Sequence, residues 1–187
     1  MQMTDKRIRK RQIISNREKL TKTVKKYPGL RFHQIKLQTR FANGTVQHHL
    51  DQLVKSEIIK VNYQKNIPRY YSYDMDNTNQ VILLRLRQNT TSKIIKSLLK
   101  NECQTFSQMV KFTKRSPGTV SVYKNMLLKD GIIIGDTNTC KCSRNISQST
   151  IKYRLTDPDT VHLLVQEYGK SSLKRSADNL ADVFLSL

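Results

Sequence analysis

Apolar positions along the first half of the chain fall into helical and then alternating registers. Val46, His49, Leu50 and Leu53 stand at i, i+3, i+4 and i+7, one face of a helix, with Thr45, Gln47, His48, Asp51 and Gln52 on the opposite side. Ahead of it, Ile13, Ile14, Leu20 and Val24 predict a helix capped by Asn16 and running to about Tyr27, where Pro28-Gly29 stops it. Leu30 to Thr39 predicts a short second helix with Phe32, Ile35 and Leu37 inward, followed by the turn Arg40-Phe41-Ala42-Asn43-Gly44. Ile58 to Tyr63 and Arg69 to Tyr73 alternate with period two and predict a hairpin with Gln64 to Pro68 at its tip.

The second half repeats this pattern. Asn43 to Ile59 recurs without a gap as Pro117 to Ile133, an offset of 118 − 44 = 74 residues between Gly44 and Gly118. Carried backwards, the same register pairs Lys19 with Lys93, Lys22 with Lys96, Lys26 with Lys100, Phe32 with Phe106 and Gln34 with Gln108. A duplicated unit therefore predicts two small domains rather than one large one. In the second copy Ser92 is expected to cap a helix through Lys100, and Phe106, Met109, Val110 and Phe112 to lie on a second. Ser116 with Pro117 is a start signal for a third. Ile132 to Ile134 and Thr150 to Leu155 read as a hairpin with a long polar wing from Gly135 to Ser149.

The resulting division is a basic arm over 1–12, domains over 13–74 and 92–156, a connecting segment over 75–91 and a C-terminal helical segment over 157–187. Val81 to Arg87 is apolar enough for a strand or for the start of a helix. In the C-terminal segment, Val161, Leu164, Val165 and Tyr168, and beyond Gly169 Leu173, Ala177, Leu180, Phe184 and Leu187, form stripes. These either fold back on their own domain or join two chains into a homodimer. The fold class expected is mainly α with small β-hairpins: tandem winged helix-turn-helix domains plus C-terminal helices.

Charge narrows the partner. The chain carries 34 Lys and Arg against 14 Asp and Glu, a formal charge of +20, which calls for an anionic partner. Residues 157–187 hold 3 basic and 5 acidic side chains, so the excess belongs to the repeats. Lys6, Arg7, Arg9, Lys10 and Arg11 form an arm expected to be mobile when free and to lie along phosphates when bound. No apolar run has the length of a membrane span and no signal-peptide core is evident, so the expectation is a cytoplasmic, nucleoid-associated protein without a membrane partner.

The stretch Asn43-Gly44-Thr45-Val46-Gln47-His48-His49-Leu50, then Leu53, Glu57-Ile58-Ile59-Lys60 and Arg69-Tyr70-Tyr71, resembles the third helix and wing of archaeal winged helix-turn-helix regulators of the ArsR/MarR-like group. The resemblance covers most of residues 14–74. It implies a DNA-binding transcription regulator, commonly dimeric, that places the third helix in the major groove with the hairpin beside it.

From the residues themselves, short polar side chains suited to base edges are Asn43, Thr45, Gln47, His48 and Gln52, with Thr119 and Ser121 in the second copy. Candidates for phosphate contact are Arg40, Lys65, Arg69, Arg115, Lys124, Lys141 and Arg144. Lys124 stands where the first copy has Leu50, so its stem is expected to cover the core edge while its amine reaches out. The partner expected is double-stranded DNA, read sequence-specifically, or coated with little preference in a chromatin or replication-associated role.

Catalysis and cofactors find little support. No Gly-rich phosphate loop is present, and His33, His48, His49 and His162 have no neighbouring Ser, Cys or paired carboxylates, so no enzyme and no cofactor is expected. Cys140 and Cys142 are weak metal candidates, because two ligands fall short of four unless Cys103 and histidines converge on them. The three cysteines are expected to remain thiols.

Overall fold

A computed structural model describes residues 15–64, 66–137 and 150–172, with the backbone alone for residues 169–172. It divides into two units, Met1–Gln80 and Val81–Leu187. The architecture is mainly helical with small antiparallel strands, as the pattern predicts.

The first unit opens with α1 (residues 15–26), whose Leu20 and Val24 are fully buried. Asn16 lies inside this helix rather than capping it. Gly29 ends the following turn at φ +77, and its N–H donates to the Tyr70 carbonyl at 2.7 Å, while Leu30 forms a single antiparallel bridge with Tyr70. α2 (Phe32–Thr39) is shorter than expected because Leu30 is drawn into that bridge. Leu37, expected inside, is 64% exposed; Ile35 and Thr39 are the buried residues of this helix, and Phe32 packs half-buried against the core. Arg40 closes α2 in the left-handed region at φ 59, its N–H donating to the Lys36 carbonyl at 2.8 Å.

Three residues later α3 (Asn43–Lys55) begins and buries Val46, His49, Leu50 and Leu53, the face its spacing predicts. β1 (Ile59–Gln64) and β2 (Ile67–Ser72) pair antiparallel from Ile59↔Ser72 to Gln64↔Ile67. The predicted five-residue tip is therefore tighter, with Asn66 at φ 63 turning the chain. Leu20, Val24, Leu30, Ile35, Val46, Leu50, Leu53, Ile59 and Tyr70 form one core. The apolar connecting run is helical: α4 (Asn77–Arg87) contains the division between Gln80 and Val81. Its Gln80 accepts from Asn62 Nδ2 at 3.0 Å and donates to the Met75 carbonyl at 2.9 Å.

The second unit continues from Val81 into α5 (Asn89–Lys100), where Ser92 is an interior residue and Gln88 occupies the capping position. β3 (Cys103–Thr105), which the pattern does not reveal, precedes α6 (Phe106–Thr113) and α7 (Pro117–Lys129). β4 (Ile133–Asp136) and β5 (Lys152–Leu155) complete a sheet of order β3-β5-β4, and α8 (Pro158–Ser172) follows, running through Gly169. Ile94, Ile95, Leu98, Met109, Val120, Leu127, Ile133 and Leu155 are almost wholly buried, and Arg85 pairs with Asp130.

Local geometry recurs at the 74-residue offset. α6 and α7 match α2 and α3 in length and start 74 residues later. Lys114 takes the left-handed conformation of Arg40, at φ 52. Gln34 and Gln108 each accept from the backbone N–H three residues earlier, at 3.0 and 2.8 Å. The buried Thr39 and Thr113 hydroxyls donate to the carbonyls of Ile35 and Met109, at 2.8 and 2.9 Å.

Candidate nucleic-acid interface

The side of α3 opposite its buried stripe presents Asn43, Gln47, His48, Asp51 and Gln52 to solvent, with Thr45 half-buried at its edge. Hydrogen bonding modifies this row. Gln47 Nε2 donates to Asp51 Oδ1 at 2.8 Å, one turn along the same helix, which fixes the amide and leaves its carbonyl oxygen to accept. His48 meets His49 edge-on, with ring centroids 5.2 Å apart and an interplanar angle of 65°. His49 is only 4% exposed; burial, then the neighbouring His48 and Arg17, pull its pKa below the ordinary histidine value. His49 is thus a neutral packing residue, and His48 is the imidazole free to reach outward.

Of the phosphate candidates in the first unit, Arg40 is exposed at the α2–α3 turn. Lys65 lies outside the described residues. Arg69 is turned inward: its Nη1 donates to the Gly29 carbonyl at 2.9 Å, so it braces the turn after α1 instead of standing at the wing surface. The wing does present an aromatic that the sequence reading passed over, Tyr63, 69% exposed and one residue before the last paired position of β1. The period-two alternation that identified the strand also carried this signal, because Tyr63 shares a strand face with Val61 near the open end. Tyr71 is buried against Gly29, and the exposed Tyr73 has the Lys60 ammonium 6.0 Å from its ring.

The second unit differs. Ser116 caps α7 as expected: its Oγ accepts from the Thr119 N–H at 3.3 Å, and the two hydroxyls lie 2.8 Å apart. This engages Thr119, which is half-buried like Ser121, while Val122, 61% exposed, takes the place of His48. Lys124 does not extend outward. Its ammonium sits 5.0 Å from the Tyr153 ring, 5.8 Å from that of Phe106 and 3.3 Å from the Tyr153 hydroxyl, a half-buried aromatic slot that withdraws it from phosphate. Arg115 is exposed in the turn.

Lys141, Arg144, Cys140, Cys142 and the arm from Lys6 to Arg11 lie outside the described residues. Cys103 is disulfide-bonded, against the expectation of a free thiol, and in that state it offers no thiolate to a metal. Among the described residues no group of three or more metal-binding side chains occurs. No helix among them is long and apolar enough to cross a membrane.

The short α2, the left-handed turn at Arg40 and the exposed polar face of α3, followed by a two-stranded hairpin, are the parts of a helix-turn-helix with a wing. Residues 14–83 match a family model described as an N-terminal HTH domain. The chain carries a helix-turn-helix domain. That match includes the hairpin and the first turns of α4, and so covers nearly the whole first unit. No curated protein matches the chain.

Proposed function

We propose that the protein is a sequence-specific double-stranded-DNA-binding transcription regulator built from two copies of a winged helix-turn-helix, with α3 as its principal reader. The observation that carries this is the exposed row Asn43, Gln47, His48 and Gln52 on a helix whose other face is wholly committed to the core. Uncharged hydrogen-bonding side chains on a firmly seated helix are suited to base edges, and the surrounding excess of Lys and Arg is suited to phosphates. Repetition of the helix lengths, the left-handed turn and the threonine and glutamine hydrogen bonds at 74 residues supports descent of both units from one module.

The two copies have diverged in role. With Lys124 withdrawn, Thr119 tied to Ser116 and Val122 in place of a histidine, α7 has fewer polar groups to offer, and the second unit contributes mainly affinity or assembly. A homodimer joined through the C-terminal segment, acting in the cytoplasm on the nucleoid, completes the reading.

Selection of bound duplexes from a random pool tests it. A short recurrent motif is expected, and Gln47→Ala and His48→Ala should relax preference at individual positions, by about 1–3 kcal/mol per contacted base pair. The charge of +20 favours the second reading, a low-specificity chromatin binder. A pool that emerges unenriched while still binding would establish that one instead.

A further inference from the structure

A second basic surface of the first unit lies on α1, apart from the α3 face. Lys19, Lys22 and Lys26, exposed at i, i+3 and i+7 on α1, line an open groove of about 430 Å³. Tyr27, Gln38 from α2 and one carboxylate, Glu18, also line it. Two of the ammoniums lie near rings: Lys19 is 4.9 Å from the Phe41 centroid and Lys26 5.4 Å from that of Tyr27. A ring face orients an ammonium while leaving its charge uncancelled. No ion pair involving these three lysines occurs among the described residues.

Position gives the groove a direction. Phe41 lies two residues before Asn43, the first residue of α3, so the Lys19 end opens beside the start of that helix. From Lys19 to Lys26 the axial rise is about 10.5 Å. DNA carries one charge per about 3.4 Å of axis on each strand, so the row matches about three successive phosphates.

We propose that the α1–α2 groove of the first unit grips about three phosphates of one strand of the same duplex that α3 reads. The inference rests on the reading of α3 as a DNA-binding helix and adds the surface that holds the backbone beside it. The second unit keeps lysines at all three positions, Lys93, Lys96 and Lys100, but engages them differently. Lys93, at the position of Lys19, donates to the Thr113 carbonyl at 3.4 Å, and the groove lined by Lys100 also contains Glu102 and Phe112.

The test uses the full chain and a random-sequence duplex of about 30 base pairs, with affinity followed by fluorescence anisotropy across a salt series. Lys22→Gln is expected to lower the log–log salt slope by about 0.9, and the triple Lys19→Gln, Lys22→Gln, Lys26→Gln variant by about 2.7. Motifs selected by wild type and triple variant should be the same. Lys25→Gln removes an equal charge from the same helix, but Lys25 does not line the groove. Its slope should match wild type.

Equal slope losses for Lys22→Gln and Lys25→Gln would reduce the effect to net charge and overturn the groove. So would a correctly folded triple variant, checked by circular dichroism, that keeps the wild-type slope. Wild-type protein that does not bind duplex DNA would refute the α3 reading and this inference together.

Discussion

Gln47 and Asp51 are joined across one turn of α3 by a 2.8 Å hydrogen bond from amide to carboxylate. The pair places a negative charge in the middle of the proposed reading face, where it repels phosphate and holds the glutamine in one rotamer. Asp51→Asn is therefore expected to raise affinity for all duplexes by about 1 kcal/mol, the scale of a charge–charge interaction at about 4 Å in water. Asparagine keeps a carbonyl oxygen able to accept from Gln47, so the selected motif should stay the same. Anisotropy titrations with selected and random duplexes read both outcomes.

Lys124 belongs to the fold of the second unit. With its ammonium between Phe106 and Tyr153, Lys124→Ala should lower that unit's stability by about 1 kcal/mol through lost packing and cation–π attraction. The salt slope of DNA binding should stay at the wild-type value. Arg115→Ala, in the exposed turn, should do the reverse. Urea unfolding and salt titrations on the two variants separate the roles.

His49 makes the first unit acid-sensitive. Its folded-state pKa lies below the ordinary value, chiefly because burial disfavours the imidazolium, so on acidification the unfolded chain takes up this proton first. The stabilisation is present above about pH 6.5 and is lost as pH falls through the folded-state value. His49 Nδ1 is buried without a hydrogen-bond partner among the described residues, so His49→Leu should be within about 1 kcal/mol of wild type at neutral pH. Melting temperatures at pH 7.5 and 5.5 should show a smaller acid loss in the variant.

Gly29 is fixed by its surroundings. A Cβ there would stand 2.9 to 3.1 Å from the end of the Tyr71 ring, and the φ of +77 is strained for any L side chain. Gly29→Ala should cost about 1–3 kcal/mol. Arg69→Ala, which removes the guanidinium that donates to the Gly29 carbonyl, should also lower the melting temperature of the first unit. A variant that melts like wild type while losing affinity would return Arg69 to the phosphate surface.

Most of the helical framework was legible because burial imposes a period that survives in the sequence: Val46, His49, Leu50 and Leu53 are all inside. Elements made only by pairing were not. β3 is three residues, Cys103–Thr105, with no alternation of its own, and it is a strand because β5 lies beside it. Leu30 reads as helical from its neighbours because the bridge that makes it extended is to Tyr70, forty residues away. The long cations were the least readable. Lys124 and Arg69 have stems long enough to turn back to Tyr153 and Gly29, and neither partner is a sequence neighbour. Short side chains on α3 lacked that freedom, which is why Gln47 and His48 are exposed on the face their spacing assigns.

Arg40 and Lys114 occupy equivalent turns with φ of 59 and 52, a conformation in which glycine sits without strain and a β-carbon adds about 1–2 kcal/mol. Neither helix pair uses glycine there. A chain optimised for thermal endurance would replace both, and in doing so would shed a cation from the turn ahead of α3 and of α7. On the proposed reading, heat resistance and grip on DNA pull in opposite directions at Arg40, so selection for one should be visible there as erosion of the other.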